Sequence, residues 1–153
     1  MLRVIRSTQI DVPIYRLWSV LRDFNSHVNW HPAIESSEIE GADSGSQVGC
    51  VRKFALRDGN RLREQLLSLN DQEHLLRYCI LDGSLPLHRY VSTLQLKTVT
   101  DTGRCFWTWS SIFATPKGRE TEFATLVGEG VYQAGFDGMR TWLNNNDTSR
   151  MLK

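Results

Sequence analysis

Apolar and polar residues alternate at the start of the chain: Leu2 and Val4 flank Arg3, and the run continues through Ser7-Thr8-Gln9-Ile10. A half-buried strand reads this way. Asp11 stands two residues before Pro13, a helix-start signal, and Ile14, Leu17, Trp18 and Leu21 then recur at helical spacing until Asp23 and Asn25 break it. A further turn is expected over His27 to His31, ended by Pro32. From Ser36 to Gly49 the chain is rich in Ser, Gly and acids, with a short strand around Ser37 to Glu40 and then a loop.

The middle of the chain carries strand signal throughout: Cys50 to Leu56, Leu62 to Leu69, His74 to Leu81, Tyr90 to Val99 and Cys105 to Ala114. Turn residues separate these runs and no helix intervenes, so sequential antiparallel pairing follows. A three-residue loop at Asp58-Gly59-Asn60 would pair Leu56 with Leu62, Phe54 with Glu64 and Arg52 with Leu66. Those six side chains then share one face, with Lys53, Arg57, Arg61, Arg63 and Gln65 on the other. Trp107 and Trp109 likewise share a face with Ser111 and Phe113, which should line core or cavity.

After Pro116-Lys117-Gly118 comes the longest helical pattern, with Phe123, Val127, Val131, Ala134, Gly138 and Trp142 at steps of three or four. A helix laid across the concave side of a curved sheet buries that stripe most economically. Gly128, Gly130, Gly135 and Gly138 weaken it by roughly 0.8–1.0 kcal/mol each relative to Ala, a cost that close approach to the sheet or a ligand could offset. Asn144 to Lys153 reads as a polar tail, leaving one domain over residues 1–143. This α+β arrangement has about seven antiparallel strands around a long C-terminal helix, with two short helices after the first strand.

Composition narrows the function. Lys and Arg total 18 against 17 acids, a net charge of +1, which lacks the basic footprint of a nucleic-acid partner. No run approaches the roughly 20 apolar residues that span a bilayer, and Arg3 and Arg6 interrupt the early apolar stretch, so the cytoplasm is the expected location. Cys50, Cys79 and Cys105 fit neither CxxC nor zinc spacing and read as reduced, buried thiols. His27 and His31 could share a helical face, but no third ligand accompanies them, so neither metal nor cofactor is expected. No GxSxG elbow and no phosphate-cradling glycine loop occurs. Oligomeric state stays open between monomer and homodimer.

Several segments, taken in order, carry a family resemblance. They are Asp11-Val12-Pro13, Leu17-Trp18, Asp23-Phe24, Asn29-Trp30-His31-Pro32, Gly49-Cys50-Val51-Arg52, Glu64-Gln65-Leu66, Tyr78, Leu85-Pro86-Leu87, Tyr90, Trp109 and Gly130-Val131-Tyr132-Gln133-Ala134-Gly135. From about Arg3 to Trp142 the chain resembles the SRPBCC (START-like) superfamily, in its bacterial polyketide cyclase/dehydrase-like branch. The resemblance implies a helix-grip fold with a cavity between the last helix and the sheet, and places Trp30 and His31 beside the cavity mouth.

The expected ligand-facing residues are Trp30, Arg52, Phe54, Glu64, Tyr78, Tyr90, Trp109, Val131 and Gly135. An inward Arg52 and an inward Glu64 on adjacent strands are costly unless they bond each other or a bound group. They form a structural ion pair, or Arg52 orients a carbonyl or carboxylate while Glu64 acts as an acid or base. Tyr78 and Tyr90 either offer hydroxyls to the cavity or pack in the core. The leading expectation is binding of a small hydrophobic, lipid-, polyketide- or aromatic-like ligand. A cyclase/dehydrase using Glu64, Arg52, Tyr78 or Tyr90 is the first alternative, and a protein-interaction module the second.

Overall fold

The computed structural model describes residues 1–146. Strand β1 (Leu2–Ile10) is followed by helices α1 (Ile14–Leu21) and α2 (His27–Trp30), then by β2 (Ile34–Ile39), β3 (Val51–Leu56), β4 (Arg61–Asn70), β5 (Leu75–Gly83), β6 (His88–Thr98) and β7 (Cys105–Ala114). The chain ends in one helical run: α3 (Glu120–Thr125), a π-helical segment (Leu126–Gln133) and α4 (Ala134–Asn145). The strands form one antiparallel sheet in the order β1-β7-β6-β5-β4-β3-β2. Consecutive hairpins therefore build β2 to β7, and β1 crosses to the far edge beside β7. Helices α1 and α2 lie in the connection between these two edge strands, β1 and β2.

The β3–β4 hairpin differs from expectation. Phe54 faces Leu62 and Arg52 faces Glu64, two residues out of the expected register. The loop is Arg57-Asp58-Gly59, because Gly59 takes the left-handed conformation (φ 93°) and the Leu56 N–H donates to the Asn60 carbonyl at 2.8 Å. A type I turn closed by a left-handed glycine sets this pairing. A slip of two leaves the faces unchanged, since side chains alternate with period two. It does put the guanidinium and the carboxylate directly opposite each other. Register shifts between Arg63 and Glu64, between Leu66 and Ser68, and between His88 and Val91 interrupt the ladders, as bulges do where a sheet bends.

The terminal helix also departs from the expected stripe. Phe123 and Val127 are buried as expected, but the next large side chains to be buried are Tyr132, Phe136, Met139 and Leu143. Val131, Ala134, Gly138 and Trp142 are only half-buried. The π-helical segment supplies the cause: its wider turn places Tyr132, five residues on, where an α-helix would place Val131. The first residues of the expected polar tail are exposed but helical. Asn144 and Asn145 continue α4, Leu143 beneath them is buried, and the Asn146 side-chain amide donates to the Trp142 carbonyl at 2.8 Å. Residues 147–153 lie outside the described residues.

Two glycines let this helix approach its neighbours. A Cβ on Gly138 would lie 2.2 Å from the Trp30 carbonyl oxygen, and one on Gly135 would lie 2.8 Å from the Trp109 ring. Gly130 has open space instead. Gly138→Ala is therefore expected to destabilise by about 1–3 kcal/mol despite alanine's helix propensity. Gly130→Ala should stabilise by about 0.8 kcal/mol. Urea unfolding of the two variants checks the opposite signs.

The core lies between the sheet and this helix. Trp107 is fully buried, stacked on Trp109 (ring centroids 5.6 Å apart) and edge-on to Phe136 (4.7 Å). Helix α1 buries Leu17, Trp18, Val20 and Leu21. It is pinned by the Trp18 indole N–H and the Arg22 Nε, both donating to Asp71 Oδ1 at 2.8 and 2.9 Å. No helix among the described residues is long and apolar enough to cross a membrane.

Candidate functional site

Between the β3–β6 part of the sheet, α2 and the π-helical segment lies a cavity of about 380 Å³. Leu62, Leu76, Ile80, Leu85, Leu87 and Leu94 give it a largely aliphatic wall. A partly enclosed, mostly apolar volume with a few fixed polar groups is the usual form of a small-molecule site. Trp30, Arg52, Phe54, Glu64, Tyr78, Tyr90, Trp109 and Val131 all contribute to the wall. Gly135 does not line it. That position sits against Trp109, His31 and Trp30, where it permits close packing.

One polar end is built by β3, β4 and α2. Arg52 Nε and Nη2 both donate to Glu64 Oε1, at 2.9 and 2.7 Å, and Nη1 donates to the Phe24 carbonyl at 2.6 Å. The guanidinium lies 3.8 Å from the centroid of the Phe24 ring, a cation–π contact. Both ion-pair residues are more than nine-tenths buried. Burial raises the Glu64 carboxyl above its usual range, and the facing Arg52 opposes that shift. Two Arg52 N–H groups on one Glu64 oxygen is the geometry of an ion pair between a guanidinium and a carboxylate.

His27 borders the same end. Ser37 Oγ donates to Asn25 Oδ1 at 2.6 Å, so it must accept from His27 Nε2–H at 2.9 Å, which leaves Nδ1 as a bare acceptor. His31 has no such freedom. Its Nε2–H donates to the Val131 carbonyl at 2.7 Å and its Nδ1 accepts from the Ala33 N–H at 3.1 Å. Desolvation pushes His27 well below its ordinary range and His31 to about 4, so both rings are neutral near pH 7. The two histidines thus serve different partners and do not converge as a ligand pair. His31 ties the α2 loop to the terminal helix across the cavity, beside Trp30.

A chain of hydroxyls runs beside the cavity and includes its wall residues Tyr78 and Tyr90. Ser92 Oγ donates to the Ser110 carbonyl at 2.9 Å and so accepts from the Trp109 indole N–H and from Tyr132, both at 3.1 Å. Tyr132 then accepts from the Tyr90 hydroxyl at 2.5 Å. The Trp109 indole also reaches the Tyr78 hydroxyl at 3.0 Å. Burial raises Tyr78 to about 12, and raises Tyr90 and Tyr132 as well, so all three remain protonated phenols.

Sequence reasoning did not single out Tyr132 or His27 as site residues. Tyr132 falls on the expected stripe only once the π-helical turn is known. His27 carried just one signal, its position four residues before His31. Phe24, whose carbonyl and ring both hold Arg52, stood within the Asp23-Phe24 segment but had no chemical signature of its own.

A curved sheet gripping a terminal helix around an apolar hollow defines a START-like, helix-grip protein. A family match spans residues 1–143, and the chain belongs to the polyketide cyclase/dehydrase and lipid transport family. It is 27% identical over 135 residues to the abscisic acid receptor PYL10 of Arabidopsis thaliana, covering 85% of this chain and 73% of that protein. Similarity to the abscisic acid receptor PYL7 of the same plant is 29% over 98 residues, 62% of this chain and 45% of that protein. Among solved structures, the protein XoxI from Bacillus cereus superposes with a TM-score of 0.81 at 28% identity, over 92% of this chain and 94% of that one. A Thermobifida fusca protein superposes with a TM-score of 0.82 at 22% identity, over 95% and 96% of the two chains, a likeness of fold alone.

Proposed function

We propose that this protein binds a small hydrophobic ligand in the cavity between its terminal helix and its sheet. The observation that carries the reading is the apolar hollow of about 380 Å³, walled by aliphatic and aromatic side chains and holding few polar groups. Membership of a family that includes lipid transport supports it. So does the likeness to plant receptors named for a small molecule, abscisic acid. The three free cysteines suit a reducing compartment, and we place the protein in the cytoplasm.

The alternative of acid/base chemistry falls on Glu64 and on Tyr78, whose hydroxyl proton goes to no described residue. The Tyr90 and Tyr132 hydroxyl protons are committed to the chain that ends on the Ser110 carbonyl, and Arg52 has no transferable proton. Binding is therefore the function the geometry supports best.

Val131→Trp tests it by filling the cavity from the helix side. The neutral dye N-phenyl-1-naphthylamine should fluoresce on binding the unaltered protein. The variant should bind it at least about tenfold more weakly, the factor that 1.4 kcal/mol of overcrowding produces, while still melting cooperatively. Equal dye affinity in both proteins would place binding elsewhere.

A further inference from the structure

The cavity's polar atoms are not equally occupied. All three Arg52 nitrogens already donate to protein acceptors. Both hydrogen bonds to Glu64 enter Oε1, and no described residue donates to Oε2. His27 Nδ1 likewise accepts from no described residue, because its ring proton sits on Nε2. The unpartnered polar atoms sealed from any void are Trp107 Nε1 and Ser111 Oγ, and neither Oε2 nor Nδ1 is among them. Both residues line the hollow and are more than nine-tenths buried. What the wall leaves unsatisfied at this end is two acceptors, and a buried acceptor without a donor is costly.

We propose that the natural ligand is a neutral molecule carrying a hydroxyl or phenol, which donates to Glu64 Oε2 or His27 Nδ1, and that carboxylates are excluded. This rests on the cavity-binding reading and narrows it. Arg52 is already neutralised by Glu64, so a carboxylate in the hollow would be a buried charge without a partner, set beside a second carboxylate. A hydroxyl adds no charge and donates to the bare acceptor, and its own oxygen is an acceptor for a donor in the wall such as the Tyr78 hydroxyl. The aliphatic wall accommodates the remainder of such a molecule.

A matched probe series on the unaltered protein tests this by NMR titration near neutral pH. 2-Naphthol can donate, 2-methoxynaphthalene keeps the oxygen but cannot donate, and 2-naphthoate is an anion of similar size. 2-Naphthol should bind at least about tenfold more tightly than its methyl ether, as a hydrogen bond to a charged acceptor implies, and 2-naphthoate most weakly. Equal binding of naphthol and ether, or tighter binding of naphthoate, would overturn the hydroxyl assignment while leaving the cavity reading intact. Failure of all three to bind would overturn both. Glu64→Gln replaces an acceptor with an N–H donor and removes the charge, so the naphthol-to-naphthoate preference should shrink at least about tenfold. An unchanged preference in the folded variant would count against Glu64. If the variant does not fold, the probe series decides alone.

Discussion

Arg52→Met is expected to cost about 3–5 kcal/mol of folding stability, among the largest effects a single substitution can have in this protein. It removes both hydrogen bonds to Glu64 Oε1 and the one to the Phe24 carbonyl, leaving a carboxylate and a carbonyl buried without partners. The double variant Arg52→Met with Glu64→Leu should recover most of that loss, because two apolar side chains of similar volume need no partner. Chemical denaturation of both variants checks the pair. Recovery would mean that the ion pair contributes little net stability and that its retention relates to what occupies the hollow. A double variant no more stable than the single one would instead make the pair a structural tie.

Acid should weaken the fold well before the carboxylates of the surface protonate. His31 has a folded pKa of about 4 against an ordinary value of 6.5. Above pH 6.5 it is neutral in both states and contributes nothing. Between about pH 6.5 and about pH 4 the unfolded chain takes up a proton that the native ring refuses, so stability falls as pH falls, by about 3 kcal/mol in all. His27 is shifted in the same direction and adds to the loss, whereas the raised Glu64 carboxyl acts in the opposite sense. Urea midpoints at pH 7 and pH 5 should show the decline. His31→Gln, which keeps a donor for the Val131 carbonyl, should flatten a large part of it. A profile that is unchanged by this substitution would show that His31 is not the group responsible.

The β-meander was legible because period-two alternation survives errors of boundary. Trp107, Trp109 and Phe113 point inward however the strand ends are drawn. Arg52, Phe54 and Leu66 kept their face even though the hairpin register was two residues off, because the error was an even number. The helix was less forgiving. One residue of extra winding between Val127 and Tyr132 changes which side chains face the sheet, and nothing local in Gly128-Glu129-Gly130-Val131 announces a wider turn. Val131 consequently lines the hollow only half-buried, and the fully buried Tyr132 was passed over.

For the site, residue types were visible but hydrogen-bond directions were not. That Arg52 and Glu64 face inward follows from alternation. That one carboxylate oxygen takes both donors and the other none depends on where Phe24 and His27 sit, and both come from segments distant in sequence. The tautomer of His27 depends in turn on Asn25 and Ser37, a relay that no spacing rule encodes.

The placement of β1 at the edge beside β7 has a consequence for how the molecule comes to be made. Leu2 pairs with Phe113 and Ile10 with Cys105, so β1 waits for roughly a hundred residues before its neighbour exists. The hairpins from β2 to β7 can zip locally on a growing chain, but closing that long loop carries the larger entropic cost. Until the last strand and the terminal helix have left the ribosome, the hollow has a floor without a roof. The wall of the cavity is thus complete only once the helical run that follows β7 has been made.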